Sequence, residues 1–165
     1  SYMNKQKIKP SVYPKQIWFN VIPFVDSFCD NGYTKEEMKM VWETQKILDK
    51  NISVNATAVR VPVLIGHSEA VTIKTKKPID IDSVFDDYRN NEFIELLDNP
   101  ERNEYPTAFE NGHGTDKVYV GRIRKSLNDD NILNIWVVAD NVRKGAALNS
   151  VQIAEELIKG GKWRK

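Results

Sequence analysis

The sequence contains few of the residues that mark secreted, membrane-spanning or disulfide-stabilised proteins. One cysteine, Cys29, occurs among 165 residues, so no disulfide can form within the chain, and a reducing compartment, the cytoplasm, is expected. The longest apolar runs, 59–65 and 132–139, are far too short to cross a bilayer. The first residues lack the apolar segment of a secretion signal. No metal site is predicted.

An excess of charge of one sign is also lacking. The chain has 24 Lys and Arg against 23 Asp and Glu, a net charge of +1. This balance gives no general attraction to nucleic acid or to an acidic membrane, so neither is predicted as a partner. No Gly-x-Gly-x-x-Gly follows a predicted strand, and no Walker-type loop is present. We therefore expect no nucleotide-binding domain within these residues.

What is present fits one globular domain. Hydrophobic residues make up 41% and charged residues 28% of the sequence, and the length suits a single core. Residues 1–15 are polar, with Pro10 and Pro14, and are interpreted as an extended lead-in or a segment added by cloning. Residues 16–165 are assigned to one domain.

Strands and helices are mixed along the chain without regular alternation. The patterns predict strands at 16–22, 53–65, 68–76, 117–126 and 131–139, and helices at about 34–49, 81–89 and 144–159. The segment 93–97 is ambiguous, and 99–116 is predicted to be a loop. This order favours an α/β (α+β) fold with a mixed, largely antiparallel sheet and helices packed on one face.

The first helix has the clearest start. Thr34 with Glu37 three residues later is typical of a capping box. At about 100° per residue, the helix presents two stripes. The charged stripe contains Glu36, Lys39, Glu43 and Lys46, and the apolar stripe contains Met38, Val41 and Leu48. By itself, the spacing of Glu36 and Lys39 is typical of an exposed ion pair.

Arg60 and His67 are the residues that suggest chemistry. Arg60 lies between valines, and a guanidinium in an apolar segment needs an anion, for which its planar fork suits a carboxylate. His67 follows Gly66 where a strand breaks, and an imidazole near its ordinary pKa can transfer protons at neutral pH. The residues alone leave open a structural Arg–Asp pair and a hydrogen-bonded histidine.

Six segments resemble the aspartate-β-semialdehyde dehydrogenase family, in that family's order. They are 19–23 (FNVIP), 31–39 (NGYTKEEMK), 43–48 (ETQKIL), 59–71 (VRVPVLIGHSEAV), 120–124 (VGRIR) and 136–152 (WVVADNVRKGAALNSVQ). The resemblance covers the chain from about residue 12 to its end. It implies the fold of that family's C-terminal dimerisation and substrate-binding domain.

The resemblance also implies roles for five residues. His67 would be the catalytic acid/base, Arg60 would bind the substrate carboxylate, and Glu36 would bind the substrate amino group. Lys39 would help to hold phosphate, and Asn141 would touch the nicotinamide cofactor. The alternatives for these positions are a solvated ion pair for Glu36 and Lys39, and a helix cap for Asn141.

The implied parent enzyme is a homodimer that reductively dephosphorylates aspartyl-4-phosphate with NADPH through a thioester. That reaction supplies lysine, threonine, methionine and diaminopimelate biosynthesis. The family's asparagine–cysteine motif is absent, so Cys29 is not the expected nucleophile, and His113 is expected to lie on the surface. The chain alone is therefore expected to be inactive, and helix 144–159 is expected to pack toward the missing dinucleotide-binding domain.

Two alternatives to this function are considered. A related acyl-phosphate reductase, such as N-acetylglutamyl-phosphate reductase, would have no use for the carboxylate of Glu36, because its substrate has no ammonium group. A non-catalytic interaction domain would keep the site residues as vestiges. The favoured reading depends on Arg60 and His67 acting on the same small acid.

Overall fold

The computed structural model describes residues 11–161. The chain divides into two compact units, one running to Pro62 and the other starting at Val63. Among the described residues, the first unit contains helix α1, and the second contains the four strands and the other helices. The proposed lead-in lies partly outside the described residues, and residues 11–15 form bends. The assignment of 16–165 to one domain stays a prediction.

Helix α1 spans Lys35–Ile47 and begins as the sequence predicts. The backbone N–H of Thr34 donates to Glu37 Oε2 at 2.7 Å, and the N–H of Glu37 donates to Thr34 Oγ1 at 3.4 Å. Each side chain therefore satisfies an N–H that the first helical turn leaves free. Thr34 and Glu37 are both buried, so the predicted capping box is confirmed.

The predicted apolar stripe of α1 is partly wrong. Met38 and Val41 are half-buried, but Leu48 is 71% exposed. Leu48 is the C-terminal cap and continues the helical turn, but this end of the helix is not covered by the other described residues, since Ile47 is 75% exposed as well. The buried residue of this helix is the acid Glu37.

The strands predicted at 16–22 and 53–65 do not form. Between them there is one antiparallel bridge, in which Ile22 and Arg60 exchange backbone hydrogen bonds of 2.9 and 2.8 Å. Residues 18–19 form a turn, with Phe19 at φ 57°. Branched and aromatic residues form a strand only where a neighbouring strand pairs with them over several residues, and here the pairing is limited to one bridge.

The second unit is built on a four-stranded mixed sheet. In chain order its strands are β1 (His67–Lys74), β2 (Ile94–Leu96), β3 (Val118–Lys125) and β4 (Ile132–Ala139). The spatial order is β1-β4-β3-β2, with two antiparallel pairs and one parallel pair, β2 with β3. The predicted mixed, largely antiparallel sheet is confirmed, and the ambiguous segment 93–97 contains β2.

Helix α2 (Ile81–Arg89) covers one face of the sheet, as predicted, and Asp80 caps it. The core on this face contains Val120, Ile123, Leu133 and Ile135, with Val84 and Phe85 of α2 packed against it. On the other face Val138 is fully buried, and the Trp136 indole donates to the Pro106 carbonyl at 3.1 Å. Loop 99–116 thus covers part of the second face.

A β-bulge interrupts the pairing of β3 with β4 between Gly121 and Arg124. Arg122 has φ 56°, and the backbone N–H of Ile123 donates to Asp98 Oδ2 at 2.7 Å instead of to β4. The bulge leaves Arg122 and Arg124 exposed while Ile123 enters the core.

The C-terminal helix begins with an unpredicted π turn. Residues Arg143–Ala147 form this turn, and α3 continues over Leu148–Lys159 to the cap Gly160. The predicted helix at 144–159 is confirmed apart from this wider first turn. Among the described residues, no helix is long and apolar enough to cross a membrane.

Replacing Thr34 with Ala should destabilise the first unit by about 1 kcal/mol, because it removes the side-chain acceptor for the N–H of Glu37. Urea unfolding followed by circular dichroism measures the change. Thr57→Ala, at an exposed position, is the matched control and should leave the free energy of unfolding almost unchanged. Equal stability of the two variants would contradict the assignment.

Candidate functional site

Helix α1 presents an ion pair at the predicted substrate-binding positions. Lys39 Nζ lies 3.1 Å from Glu36 Oε2, with side-chain exposures of 44% and 37%. The hydrogen bond to Glu36 raises the pKa of Lys39, and the negative charges of Glu36, Glu43 and Asp26 raise it further. Exposed pairs at this spacing contribute little to stability, so opening the pair costs little.

Arg60 is half-buried, and it forms no ion pair with any carboxylate of residues 11–161. Its guanidinium carbon lies 5.0 Å from the centre of the Tyr13 ring. Such a contact uses the face of the guanidinium, whereas hydrogen bonds to an anion use its edge. The structural Arg–Asp pair that the sequence left open is therefore not found in the described part of the chain.

Glu37 fixes the segment before Arg60 to helix α1. Its second carboxylate oxygen, Oε1, accepts a 2.9 Å hydrogen bond from the backbone N–H of Ala58. Nearby, the Tyr33 hydroxyl donates to Asn55 Oδ1 at 3.0 Å. The backbone hydrogen bonds from Thr34 and Ala58 lower the pKa of Glu37 despite its burial. One carboxylate thus starts the helix and orients the residues that lead to Arg60.

His67 is the first residue of β1, at the edge of the sheet. It is exposed, and its register partner is Ala139, the last residue of β4. Within residues 11–161 the imidazole forms no hydrogen bond or ion pair, which leaves both ring nitrogens available for proton transfer. The predicted position at a strand end is confirmed.

Asn141 lies beside the residue that precedes His67. Its Oδ1 accepts a 3.0 Å hydrogen bond from the backbone N–H of Gly66. Within the described residues, Asn141 makes no capping hydrogen bond to the helix that follows; the N–H groups of Val142 and of Arg143 donate instead to Oδ1 of Asp140, both at 2.8 Å. Asn141 keeps its Nδ2 donor for another partner.

Asp140 is buried and joins three backbone segments. In addition to the helix start, its Oδ2 accepts from the N–H of Gly114 at 2.8 Å, and its carbonyl accepts from the N–H of Gly145 at 2.9 Å. The hydrogen bonds from Arg143 and Gly114 are the main reason why its pKa is lowered, and the nearby His113 contributes. The sequence analysis gave Asp140 no role, although an Asp directly after a buried strand is a signal for a helix cap.

The remaining candidates, Cys29 and His113, have no predicted role in the site. Cys29 is half-buried in a turn, where its N–H donates to the Tyr33 carbonyl and its own carbonyl accepts from Gly32. His113 is exposed, as predicted. In the described residues, no group of three or more His, Cys, Asp or Glu is arranged to hold a metal ion.

The predicted site residues are divided between the two units. The first unit holds Glu36, Lys39 and Arg60, and the second holds His67 and Asn141. The first unit therefore carries one anionic and two cationic side chains at the predicted positions. The second offers an imidazole suited to proton transfer at the end of a strand. The fold defines a mixed α/β domain whose predicted site residues are charged or polar.

A family comparison identifies this class of domain. Residues 1–144 match the family described as "Semialdehyde dehydrogenase, dimerisation domain". Because the match covers most of the chain, the chain belongs to this family.

Two curated relatives are similar to the chain in sequence over most of its length. The chain is 60% identical over 153 residues to an aspartate-semialdehyde dehydrogenase of Shewanella sp. (strain DB6705), a match that covers 92% of this chain and 45% of that protein. It is 53% identical over 156 residues to the enzyme of that name from Legionella pneumophila, with coverages of 94% and 45%. The chain thus spans a little under half the length of the relatives that it matches.

Solved structures share the fold. Aspartate semialdehyde dehydrogenase II from Vibrio cholerae, complexed with ASA, matches with a TM-score of 0.87 and 50% identity over 96% of this chain and 46% of that chain. The aspartate semialdehyde dehydrogenase from Candida albicans, with NADP, matches with a TM-score of 0.67 and 26% identity over 86% of this chain and 45% of that one.

The stability of the protein should fall in acid partly because of Asp140. Its pKa is lowered in the folded state, so its contribution is complete above the unfolded pKa of about 3.9 and is lost as the pH falls through the folded value. Asp140→Asn should therefore be less stable than the native chain at pH 7, and the difference should shrink as the pH is lowered below about 4.

Thermal unfolding between pH 7 and pH 2.5 measures this difference. Asp87→Asn changes an exposed aspartate with no hydrogen-bond partner in the described residues, and it controls for the loss of one negative charge. A difference between native protein and Asp140→Asn that stays constant with pH would contradict the role of the ionised carboxylate.

Proposed function

We propose that the chain is the substrate-binding and acid/base half of an aspartate-semialdehyde dehydrogenase. The reaction is the NADPH-dependent reductive dephosphorylation of aspartyl-4-phosphate to aspartate-4-semialdehyde, which serves the biosynthesis of lysine, threonine, methionine and diaminopimelate. The observation that carries the proposal is Arg60, a half-buried guanidinium without a carboxylate partner in the described residues. Such a group is costly unless an anionic ligand pairs with it.

Arg60 binds the α-carboxylate of the substrate with the edge of its guanidinium, while Tyr13 covers one face. Glu36 binds the α-ammonium group and Lys39 the phosphate. These two residues already form an exposed pair at 3.1 Å. Substrate binding replaces that pair with two others, Glu36 with the ammonium group and Lys39 with the phosphate. In the free protein the ion pair keeps the two side chains near each other, and breaking it costs little free energy.

His67 is the acid/base. It accepts the proton of the attacking thiol, which another part of the complete protein supplies, and returns a proton when the tetrahedral intermediate collapses. Cys29 is not assigned the role of that thiol, because it does not lie in the family's asparagine–cysteine motif. Exposure at a strand end leaves the imidazole free to meet a substrate.

NADP supplies the hydride chemistry when it is bound, and most of its contacts belong to the part of the enzyme outside this chain. Asn141 fits a contact with the nicotinamide carboxamide. Its Nδ2 has no acceptor in residues 11–161, and its Oδ1 is occupied by Gly66. A carboxamide oxygen is a suitable acceptor for the free donor.

The two alternatives are less well supported. The matched relatives are named aspartate-semialdehyde dehydrogenases, and a substrate with an N-acyl group has no positive charge for Glu36. A vestigial interaction domain would have no reason to keep Arg60 half-buried and without a carboxylate partner.

The complete enzyme is a cytoplasmic homodimer in this proposal. Strand β1 lies at the sheet edge, and seven of its eight residues are exposed. Ala70 and Thr72 face away from α2, since Val71 packs into the core on the α2 side. The open face at β1 is the proposed subunit contact. Helix α3 exposes Val151, Ile153 and Ile158, which suit packing against the dinucleotide-binding domain.

Kinetics of the complete protein that contains this chain test the site. Arg60→Lys keeps the charge but loses the planar fork, so the KM for aspartate semialdehyde should rise about ten- to hundredfold while the KM for phosphate changes little. Lys39→Met should do the opposite. His67→Gln should lower kcat about 10²- to 10⁴-fold with little change in either KM.

His113→Gln removes the other histidine, which is also exposed, and should retain full activity. The 165-residue chain alone should show no NADP-dependent turnover. Full kcat in His67→Gln, turnover by the chain alone, or a preference for N-acetylglutamyl substrates would each overturn the proposed function.

The subunit contact is tested by Ala70→Glu, which places a charge on the open face of β1. We expect the dimer of the complete protein to dissociate, because an unpaired carboxylate is costly in a closed interface. Sedimentation equilibrium measures the dissociation. Lys76→Glu, beyond the end of the strand, is the control and should stay dimeric. An unchanged dimer in Ala70→Glu would place the interface elsewhere.

A further inference from the structure

We propose that Asn141 positions His67 through the backbone amide of Gly66, in addition to any contact with the cofactor. The proposal rests on the acid/base role of His67 for its catalytic consequence, but not for the geometry. The imidazole has no hydrogen-bond partner among residues 11–161, so no neighbouring side chain there orients it. Its location is therefore set by the backbone that carries it.

The Asn141 side chain reaches that backbone directly. The N–H of Gly66 can only donate, so the amide oxygen of Asn141 faces it, at 3.0 Å. The two residues are 75 positions apart in the sequence, and the bond is partly buried. Partial burial makes its loss costly, because the Gly66 N–H would be left without a protein acceptor.

Gly66 holds a conformation that needs this support. Its φ is +94°, which residues other than glycine rarely adopt. A Cβ added at this position would lie 2.7 Å from the carbonyl oxygen of Gly112, so glycine is also required by space. Glycine has the widest conformational freedom of any residue, and a turn at glycine directly before His67 stays in one state only if contacts hold it.

Asn141 is a rigid anchor for that turn. His67 pairs with Ala139 at the end of the sheet, so the chain leaves β4 beside His67 and reaches Asn141 two residues later. Between them, Asp140 is fixed by the N–H groups of Gly114, Val142 and Arg143. His67 is thus held on one side by the strand pairing and on the other by Gly66, whose amide is bonded to Asn141.

Two variants separate positioning from cofactor contact. Both Asn141→Ala and Asn141→Asp lose the Nδ2 donor, but Asn141→Asp keeps an oxygen that can accept from Gly66. A residue that only touched the cofactor would raise the KM for NADP in both variants and leave the Gly66 amide unaffected in both. A positioning residue gives a lower kcat in Asn141→Ala that Asn141→Asp partly restores.

Amide hydrogen exchange in the 165-residue chain, followed by NMR, tests the geometry without any need for activity. In Asn141→Ala the Gly66 amide should exchange roughly tenfold faster than in the native chain, the effect of losing one net hydrogen bond. In Asn141→Asp it should stay protected. The chain has two histidines, so the His67 ring signals are assigned by comparison with His113→Gln, and they should shift in Asn141→Ala.

The amides of Gly114 and Gly145, which donate to Asp140, report on the surrounding structure and should be unchanged in both variants. Unchanged protection of Gly66 in Asn141→Ala would overturn the proposal, as would equal loss of protection at all three glycines. Equal kcat of the two Asn141 variants in the complete protein would overturn it too. Failure of the proposed function would show instead as full activity in His67→Gln, with the exchange results unaffected.

Discussion

The candidate site of the second unit depends on the hydrogen bonds that the carboxylate of Asp140 accepts. This carboxylate accepts hydrogen bonds from the backbone of Gly114, Val142 and Arg143, so it joins a loop and a helix start at the end of β4. A single ionised group can satisfy several N–H donors at once, and these donors in turn keep it charged although it is buried. Asn141 is the next residue, so these bonds also fix its backbone, and its side chain in turn accepts a hydrogen bond from Gly66.

The first unit uses the same device with another acid. The two oxygens of Glu37 accept from Thr34 and Ala58, so one buried carboxylate joins the start of α1 to an extended segment that has almost no ladder of its own. In both units the residues proposed to meet the substrate, such as Arg60 and His67, are exposed or half-buried, whereas the acids that support them are buried. Recognition and support are therefore divided between different charged residues.

Local sequence patterns predict much of the fold, but few of the hydrogen bonds that hold the site residues in place. The capping box at Thr34 and the strands β1, β3 and β4 follow from short-range sequence signals. The strand predicted at 53–65 failed because its apolar composition says nothing about a pairing partner. The bulge at Arg122 and the bond from Gly66 to Asn141 depend on residues that are distant in the sequence, and no local signature marks them. Arg60 and His67 stand out in the sequence, but the roles of the site residues came from family resemblance, which does not show what holds them in place.

The edge position of β1 has a consequence for handling the isolated chain. Within the described residues, one side of this strand leaves its backbone N–H and C=O groups without a neighbouring strand, and such a row can pair with the same edge of another molecule. Lys76 and Lys77 add positive charge just beyond the end of the strand, which opposes that association. At an ionic strength of 0.1 M, salt weakens repulsion between charges that are more than roughly 10 Å apart. The isolated chain should therefore associate least in buffer of low salt concentration.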